Sequence, residues 1–335
     1  MISVRRTTLV ALALSSIGLS HPALAEWKPV RPVEFVVAAG AGGGTDQFAR
    51  VVQAIIQKYQ LMPVSVIVSN KGGGGATEAF VYARTMMGDP HKLVFSTNLS
   101  YLMPMITKVG YKIEEMRPVA AMAADEFLLW TYKDAPYKTT KDFLDAARQK
   151  DSKIRMGGSQ SKDTDHILTR QIERAAGIHL TYIPFKSGGE VGVQLAGGHV
   201  DANTNNPSEN ISHWKAGLVR PLCVFSAQRL SEYSEKINGD LSFADIPTCK
   251  ESGIPIDQFS MPRTVWMPGK TTDEQVQYYV DVLSKVRETD DWKEWLRKGT
   301  QTGLFLTGTE FEKYIAADKK KHLKQFTDDG WLIRD

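Results

Sequence analysis

The chain has 335 residues, with 41 Lys and Arg against 38 Asp and Glu and only two cysteines. A near-neutral charge without a basic tract excludes a nucleic-acid footprint. Two cysteines are too few for a disulfide scaffold and, without C-x-x-C spacing, do not indicate zinc.

The N-terminus reads MISVRRTTLVALALSSIGLSHPALAEW. Arg5 and Arg6 form a positive segment, residues 9–19 are apolar but too short to span a bilayer, and Ala23-Leu24-Ala25 is a small-residue cleavage site. We expect a secretory signal peptide over 1–25, which leaves 39 basic and 38 acidic residues in an exported, soluble chain. What remains is long enough for two domains with cores of their own. Export would allow Cys223 and Cys249 to form one disulfide.

Strands then alternate with helices. The pattern predicts strands over 33–38, 64–69 and 93–97, with helices over 45–59 and 77–86. It predicts strands over 117–123, 126–132, 154–157, 181–185, 200–203 and 220–226. The intervening helices are 140–150 (capped by Thr139 or Thr140), 163–176, 189–196 and 208–216 (capped by Ser208). The tail from 272 to 333 reads as mostly helical. Such alternation indicates an α/β fold of mainly parallel sheets flanked by helices. No internal repeat is visible.

Four glycines in five positions, Gly40, Gly42, Gly43 and Gly44, separate the first strand from its helix, followed by Thr45 and Asp46. A helix start beyond a strand's carboxyl end offers unpaired N–H groups and partial positive charge, and glycine lets an anion approach. The residues from Ala39 to Asp46 therefore form a candidate anion cradle. The Lys-Ser/Thr pair of a P-loop is missing, and Thr45 occupies the last glycine position of a dinucleotide fingerprint. Asp46 is expected to orient the loop and Arg50 to pair with an acid one turn away.

Other strand ends carry hydrogen-bonding groups, neutral apart from one lysine: the run Gly72, Gly73, Gly74 and Gly75; Thr97 and Asn98; Ser159, Gln160 and Ser161 before Thr164; Lys186 and Ser187; and Asn203, Asn205 and Asn206. Placed in two halves, they predict a cleft between lobes that holds a polar ligand. No nucleophile elbow or metal motif accompanies His91, His166 or His199. An exported doubly wound dehydrogenase or hydrolase is the alternative. Trp130 and Trp266 are either core residues or stacking platforms.

The chain resembles a known family: the exported solute-binding proteins of tripartite tricarboxylate transporters, the TctC or Bug proteins. The resemblance is carried by Arg31-Pro32-Val33, Gly43-Gly44-Thr45-Asp46 and Val68-Ser69-Asn70-Lys71 with the glycines after it. Further pieces are Gly88-Asp89-Pro90-His91, Arg117-Pro118-Val119, Asp165-His166, Tyr182-Ile183-Pro184-Phe185-Lys186, Gly197-Gly198-His199-Val200-Asp201 and Ile246-Pro247-Thr248. It implies a two-lobed periplasmic binding protein fold, type II-like, with no catalysis, no cofactor and no metal. It implies a monomer that delivers a small organic acid to a membrane permease of one large and one small subunit; polar loops in both halves favour a di- or tricarboxylate, aliphatic or aromatic, with a polar group at each end.

Two crossing strands, 126–132 and 220–226, would place 27–123 and 228–335 in lobe one and 124–227 in lobe two. The implied ligand contacts are Ala39, Gly43, Gly44, Thr45, Asn98, Ser159, Gln160, Ser161, Thr164, Lys186, Ser187, Asn205, Asn206 and Arg263. The chain departs from the family around Asp163 and Asp165. These either face solvent at the helix start or leave the hydroxyl role to Ser159, Ser161 or Thr164.

Overall fold

The computed structural model describes residues 26–333, so the expected signal sequence lies outside it. The first strand, β1 (Val33–Val37), is followed by helix α1 (Gly44–Lys58), β2 (Val66–Asn70), α2 (Thr77–Thr85), β3 (Lys92–Ser96), α3 (Leu99–Ile106) and β4 (Met116–Glu126). Strand β1 lies between β2 and β3, parallel to both. It has to be apolar on both faces, and Val33, Phe35, Val36 and Val37 are fully buried. Helix α1 covers one face with Phe48, Val52, Ile55 and Ile56, the stripe expected from its spacing.

Only Phe127 separates β4 from β5 (Leu128–Tyr132), which belongs to a second sheet. That half continues with α4 (Thr140–Ala147), β6 (Arg155–Ser159), α5 (Thr164–Ala176), β7 (Thr181–Phe185), α6 (Gly188–Ala196), β8 (Ala202–Asn203), α7 (Pro207–Lys215) and β9 (Val219–Val224). The chain returns through β10 (Ser260–Pro268), α8 (Asp273–Glu288), α9 (Asp290–Gly299), β11 (Thr302–Leu306) and α10 (Gly308–Asp328). The first sheet has the order β11-β4-β10-β3-β1-β2 and the second β7-β6-β8-β5-β9.

Each sheet is mixed rather than mainly parallel. Strand β10 runs antiparallel to both β3 and β4, and β5 runs antiparallel to both β8 and β9. These antiparallel strands are the ones that carry the chain between the sheets or lie beside those that do. A chain that leaves a sheet and comes back must run in the opposite direction on its return.

Several expectations are corrected. Helix α3 was not foreseen, because its segment is apolar at almost every position and contains Pro104, which hides any helical period. Strand β10 contains Pro262 and Pro268, and β11 interrupts the tail read as helical. Helix α7 starts at Pro207 with Asn206 in the cap position, so Ser208 lies inside the helix. Thr139 is the cap of α4, its hydroxyl accepting the Asp142 N–H at 3.2 Å.

The passage between the sheets is also broader than expected. Phe225 N–H donates to Phe127 O at 2.8 Å, and Phe259 N–H donates to Phe225 O at 2.9 Å, so three chain segments run side by side there. Leu230, Phe243 and Ile246 pack with Leu128, Trp130 and Trp214 on the second sheet, although residues from 228 onward were assigned to lobe one. Trp130 and Trp266 are both core residues.

Cys223, in β9, and Cys249 are bridged, closing a loop between residues 26 apart. By loop-closure entropy a bridge of this span is worth about 3 kcal/mol. The double variant Cys223→Ser, Cys249→Ser should lose about 2–4 kcal/mol of stability in urea titrations, and an unchanged midpoint would contradict the bridge.

Candidate functional site

The carboxyl ends of β1 and β6 face each other across the gap between the sheets, and each feeds a glycine- or serine-rich loop into a helix. The two starts use the same device. In α1, Thr45 is followed by Asp46, whose carboxylate turns back to accept the Gly42 N–H at 3.0 Å. In α5, Thr164 is followed by Asp165, whose carboxylate accepts the Ser159 N–H at 2.7 Å and the Ser159 hydroxyl at 2.8 Å. Each aspartate folds its loop over so that the threonine and the first helical N–H groups point at the cleft. Arg50 fixes Asp46 from behind at 2.9 Å, as expected, and Asn70 donates to it at the same distance. These bonds hold the Asp46 carboxyl below its usual range against the opposing effect of burial.

The second glycine run serves packing. A Cβ on Gly72 would lie 2.6 Å from the Ala39 and Gly40 backbone, so glycine is what lets this loop close against the first. Gly75 N–H donates to Gln160 Oε1 at 2.6 Å, and Gln160 Nε2 donates to Gly72 O at 2.9 Å, which ties the run to the opposite lobe.

The cavity between the two loops encloses about 60 Å³. Ala39, Gly43, Gly44, Thr45, Ser159, Gln160, Thr164, Lys186, Ser187, Asn206 and Arg263, all expected at the site, line it. Three expected residues do not. Asn98 is buried against α10, donating to Asp318 at 3.3 Å. Ser161 is exposed on the loop. Asn205 is committed within its own lobe, donating to Gly188 O at 2.7 Å and to Asn210 at 3.2 Å.

Further residues of the wall are Thr97, placed among the cleft groups by the sequence, and the unanticipated Phe127, Gly188 and Met261; most consequential are three acids. Asp163 and Asp165 do not face solvent; both are buried and line the cavity. Glu209, in the first turn of α7, reaches across the cleft and accepts the Gly44 N–H at 3.0 Å. It lies so close to Gly188 that a Cβ there would meet Glu209 Oε2 at 2.2 Å. An acid in the first turn after Asn206-Pro207 was the available signal for Glu209.

Arg263 is the buried cation of the site. Irregular register in β10 beside it, between Arg263 and Thr264, is the kind of bulge that re-aims a side chain. Its guanidinium is 2 % exposed and pairs with Asp125, itself fully buried at the end of β4. It also donates to Thr45 Oγ1 at 2.8 Å and to Asn206 Oδ1 at 3.5 Å, while Gln301 donates to the other oxygen of Asp125. Nε alone has no partner.

Burial pushes Glu209 up to about 7, and nearby Asp165 adds to the shift. Burial likewise raises Asp163 and Asp165; the charge of Asp165 adds to the shift of Asp163, while the bonds from Ser159 and the charge of Arg263 hold Asp165 back. Among the described residues, no group of three or more His, Cys, Asp or Glu is placed to hold a metal. No described helix is long and apolar enough to cross a membrane. His166 stacks on Tyr182 with ring centroids 4.0 Å apart, and burial lowers its pKa to about 4.

Two α/β lobes joined by crossing strands, with helix starts and hydroxyls turned toward a shared polar cavity, have the architecture of the two-lobed solute-binding proteins. The model described as "Tripartite tricarboxylate transporter family receptor" matches residues 48–328, and the chain belongs to that family, the TctC or Bug receptors. A Cupriavidus necator protein, "UPF0065 protein in gbd 5'region", is 26% identical over 316 residues, 93% of this chain and 92% of the relative. The periplasmic binding protein BugD superposes with a TM-score of 0.82 at 20% identity, over 91% of this chain and 100% of that one. An R. palustris protein solved with adipate also gives 0.82, at 23% identity, over 91% of this chain and 99% of that one.

Two predictions follow from the charges. Arg263→Met leaves Asp125 buried and unpaired and should cost about 3–5 kcal/mol, whereas adding Asp125→Leu should recover part of that loss. A double variant no more stable than the single one would contradict the pairing.

The second concerns pH. Glu209, Asp163, Asp165 and Glu126 (also about 7) keep protons in the folded state that the unfolded chain releases near pH 4. Their contribution to stability is therefore lost as pH rises from about 4 to 7. His166 acts oppositely over that window, but it is one group against four. The unliganded protein should melt lower at pH 7.5 than at pH 5.5, and Glu209→Gln should reduce the difference by up to about 1.4 kcal/mol per pH unit. A melting temperature that rises over this range would refute the assignment.

Proposed function

We propose that the protein is exported to the periplasm, captures a small organic acid in the cleft between its lobes, and delivers it to a tripartite permease of one large and one small membrane subunit. The lobes divide at Phe127 and Phe259. The observation that carries the reading is the start of α1: Gly43, Gly44 and Thr45 face the cavity beside Arg263, so backbone N–H groups, a hydroxyl and a guanidinium converge where a carboxylate would sit. Glu209 already places a carboxylate there, on the Gly44 N–H. Adipate in the R. palustris relative supports the same ligand chemistry, and membership of the transporter-receptor family supports the delivery step.

The cavity of about 60 Å³ is smaller than an organic acid of several carbons needs, so binding requires the lobes to part and Glu209 to leave Gly44. Opening breaks the bonds of Gln160 to Gly72 and Gly75 and that of Lys162 Nζ to Ile106 O, at 2.9 Å. All are solvent-replaceable hydrogen bonds, each of modest net worth. Closure over the ligand then excludes water and strengthens the electrostatic contacts inside.

The reading predicts that mono-, di- or tricarboxylic acids raise the melting temperature in a thermal-shift panel while sugars do not. Gly44→Val should abolish the response, since even a Cβ at this position would lie 2.2 Å from the Arg263 guanidinium. A Gly44→Val protein that folds and binds acids unchanged would remove the cradle from the site.

A further inference from the structure

The two walls of the cavity differ in charge. The wall from the first lobe presents the Gly43 and Gly44 backbone, the Thr45 hydroxyl and Arg263, whose buried Nε has no partner. The wall from the second lobe presents Asp163, Asp165 and Glu209. Thr164, 2 % exposed and also lining the cavity, has a hydroxyl without a partner. Arg263 is already matched by Asp125, and Lys186 is an exposed residue at the rim.

The surroundings therefore hold more acidic than basic groups before any ligand enters. Asp163 and Asp165 sit at a helix start, but the bonds they accept come from their own loop: Thr164 N–H at 2.5 Å for Asp163, and Ser159 for Asp165. No cation of the second lobe other than the exposed Lys186 lines the cavity.

A dianion would bring two more negative charges into this space. A molecule carrying one carboxylate and one cation would leave the net charge unchanged and would suit both walls. Its carboxylate would replace Glu209 on the Gly44 N–H, and the freed Glu209 carboxylate, with Asp165 and Asp163 beside it, would face the cation. Of cationic groups, a primary ammonium offers three donors that several carboxylate oxygens can share.

We propose that the ligand is a small amino-carboxylic acid with its carboxylate and ammonium at opposite ends, the carboxylate held by Gly43, Gly44, Thr45 and Arg263 and the ammonium by Glu209, Asp165 and Asp163. The proposal rests on the reading of the cleft as an organic-acid site and replaces the expected di- or tricarboxylate with a zwitterion.

The test is calorimetry at pH 7.5 with pairs of equal chain length: succinate and 3-aminopropanoate, glutarate and 4-aminobutanoate, adipate and 5-aminopentanoate. We expect at least one amino acid to bind tenfold or more tightly than its paired diacid. Glu209→Gln and Asp165→Asn, each checked for native melting behaviour, should bring that ratio below threefold. Tighter diacid binding in every pair overturns the proposal, as does a ratio that survives both variants. If no member of any pair binds, the proposal is also overturned. Monocarboxylates and citrate then decide the underlying reading: a response to either keeps the organic-acid site, and none removes both.

Discussion

The salt bridge between Arg263 and Asp125 organises the centre of this molecule. Both partners are withdrawn from water, so the pair is paid for by desolvation and repays it only through geometry and additional hydrogen bonds. Those bonds come from separate parts of the chain: Thr45 at the start of α1, Asn206 before α7, and Gln301 before β11. The pair thus links β4 and β10, the strands on which the chain leaves and re-enters the first sheet, to loops from both lobes. It also presents a guanidinium to the cavity whose charge has already been balanced. Arg263 can direct hydrogen bonds to a carboxylate, but it does not leave the cavity positive.

This balance explains why the acids of the second lobe matter. In a cavity with uncompensated cations, Asp163, Asp165 and Glu209 would simply form ion pairs. Here they are left with backbone N–H groups and a serine hydroxyl, and burial shifts them toward the protonated form. Glu209 shows the compromise most directly. Its donor is the Gly44 N–H at the start of α1, so a carboxylate of the second lobe satisfies a helix-start N–H of the first.

Much of the architecture was legible in the sequence because β1, β2 and β3 are short apolar runs, each punctuated by glycine or small polar residues, and α1 carries a clean apolar stripe. The elements that escaped lack those signals. Strand β10 carries two prolines and a buried arginine, and β11 includes Gly303 in an otherwise helical tail. Helix α3 is apolar on all sides because it packs between α2 and α10. At the site, glycines and hydroxyls following strands were visible, since their role depends on local backbone. The partners that the charged residues find there were not. The pairing of Arg263 with Asp125 joins residues 138 apart, and that of Glu209 with Gly44 joins residues 165 apart, distances over which no local pattern carries information.

One long-range relation is nevertheless written in the chain. Thr45-Asp46 and Thr164-Asp165 open corresponding helices in the two lobes, and both aspartates bond back to the loop before them. Their neighbours then diverge. In the first lobe, Gly43 and Gly44 precede the pair, and Arg50 neutralises the aspartate from outside the cleft. In the second, Asp163 precedes it, with no cation in that supporting role. The same supersecondary unit therefore yields a donor wall on one side and an acidic wall on the other. Two structurally similar loops can recognise the two chemically different ends of one small molecule because the residues flanking a shared Thr-Asp start set the charge of each wall.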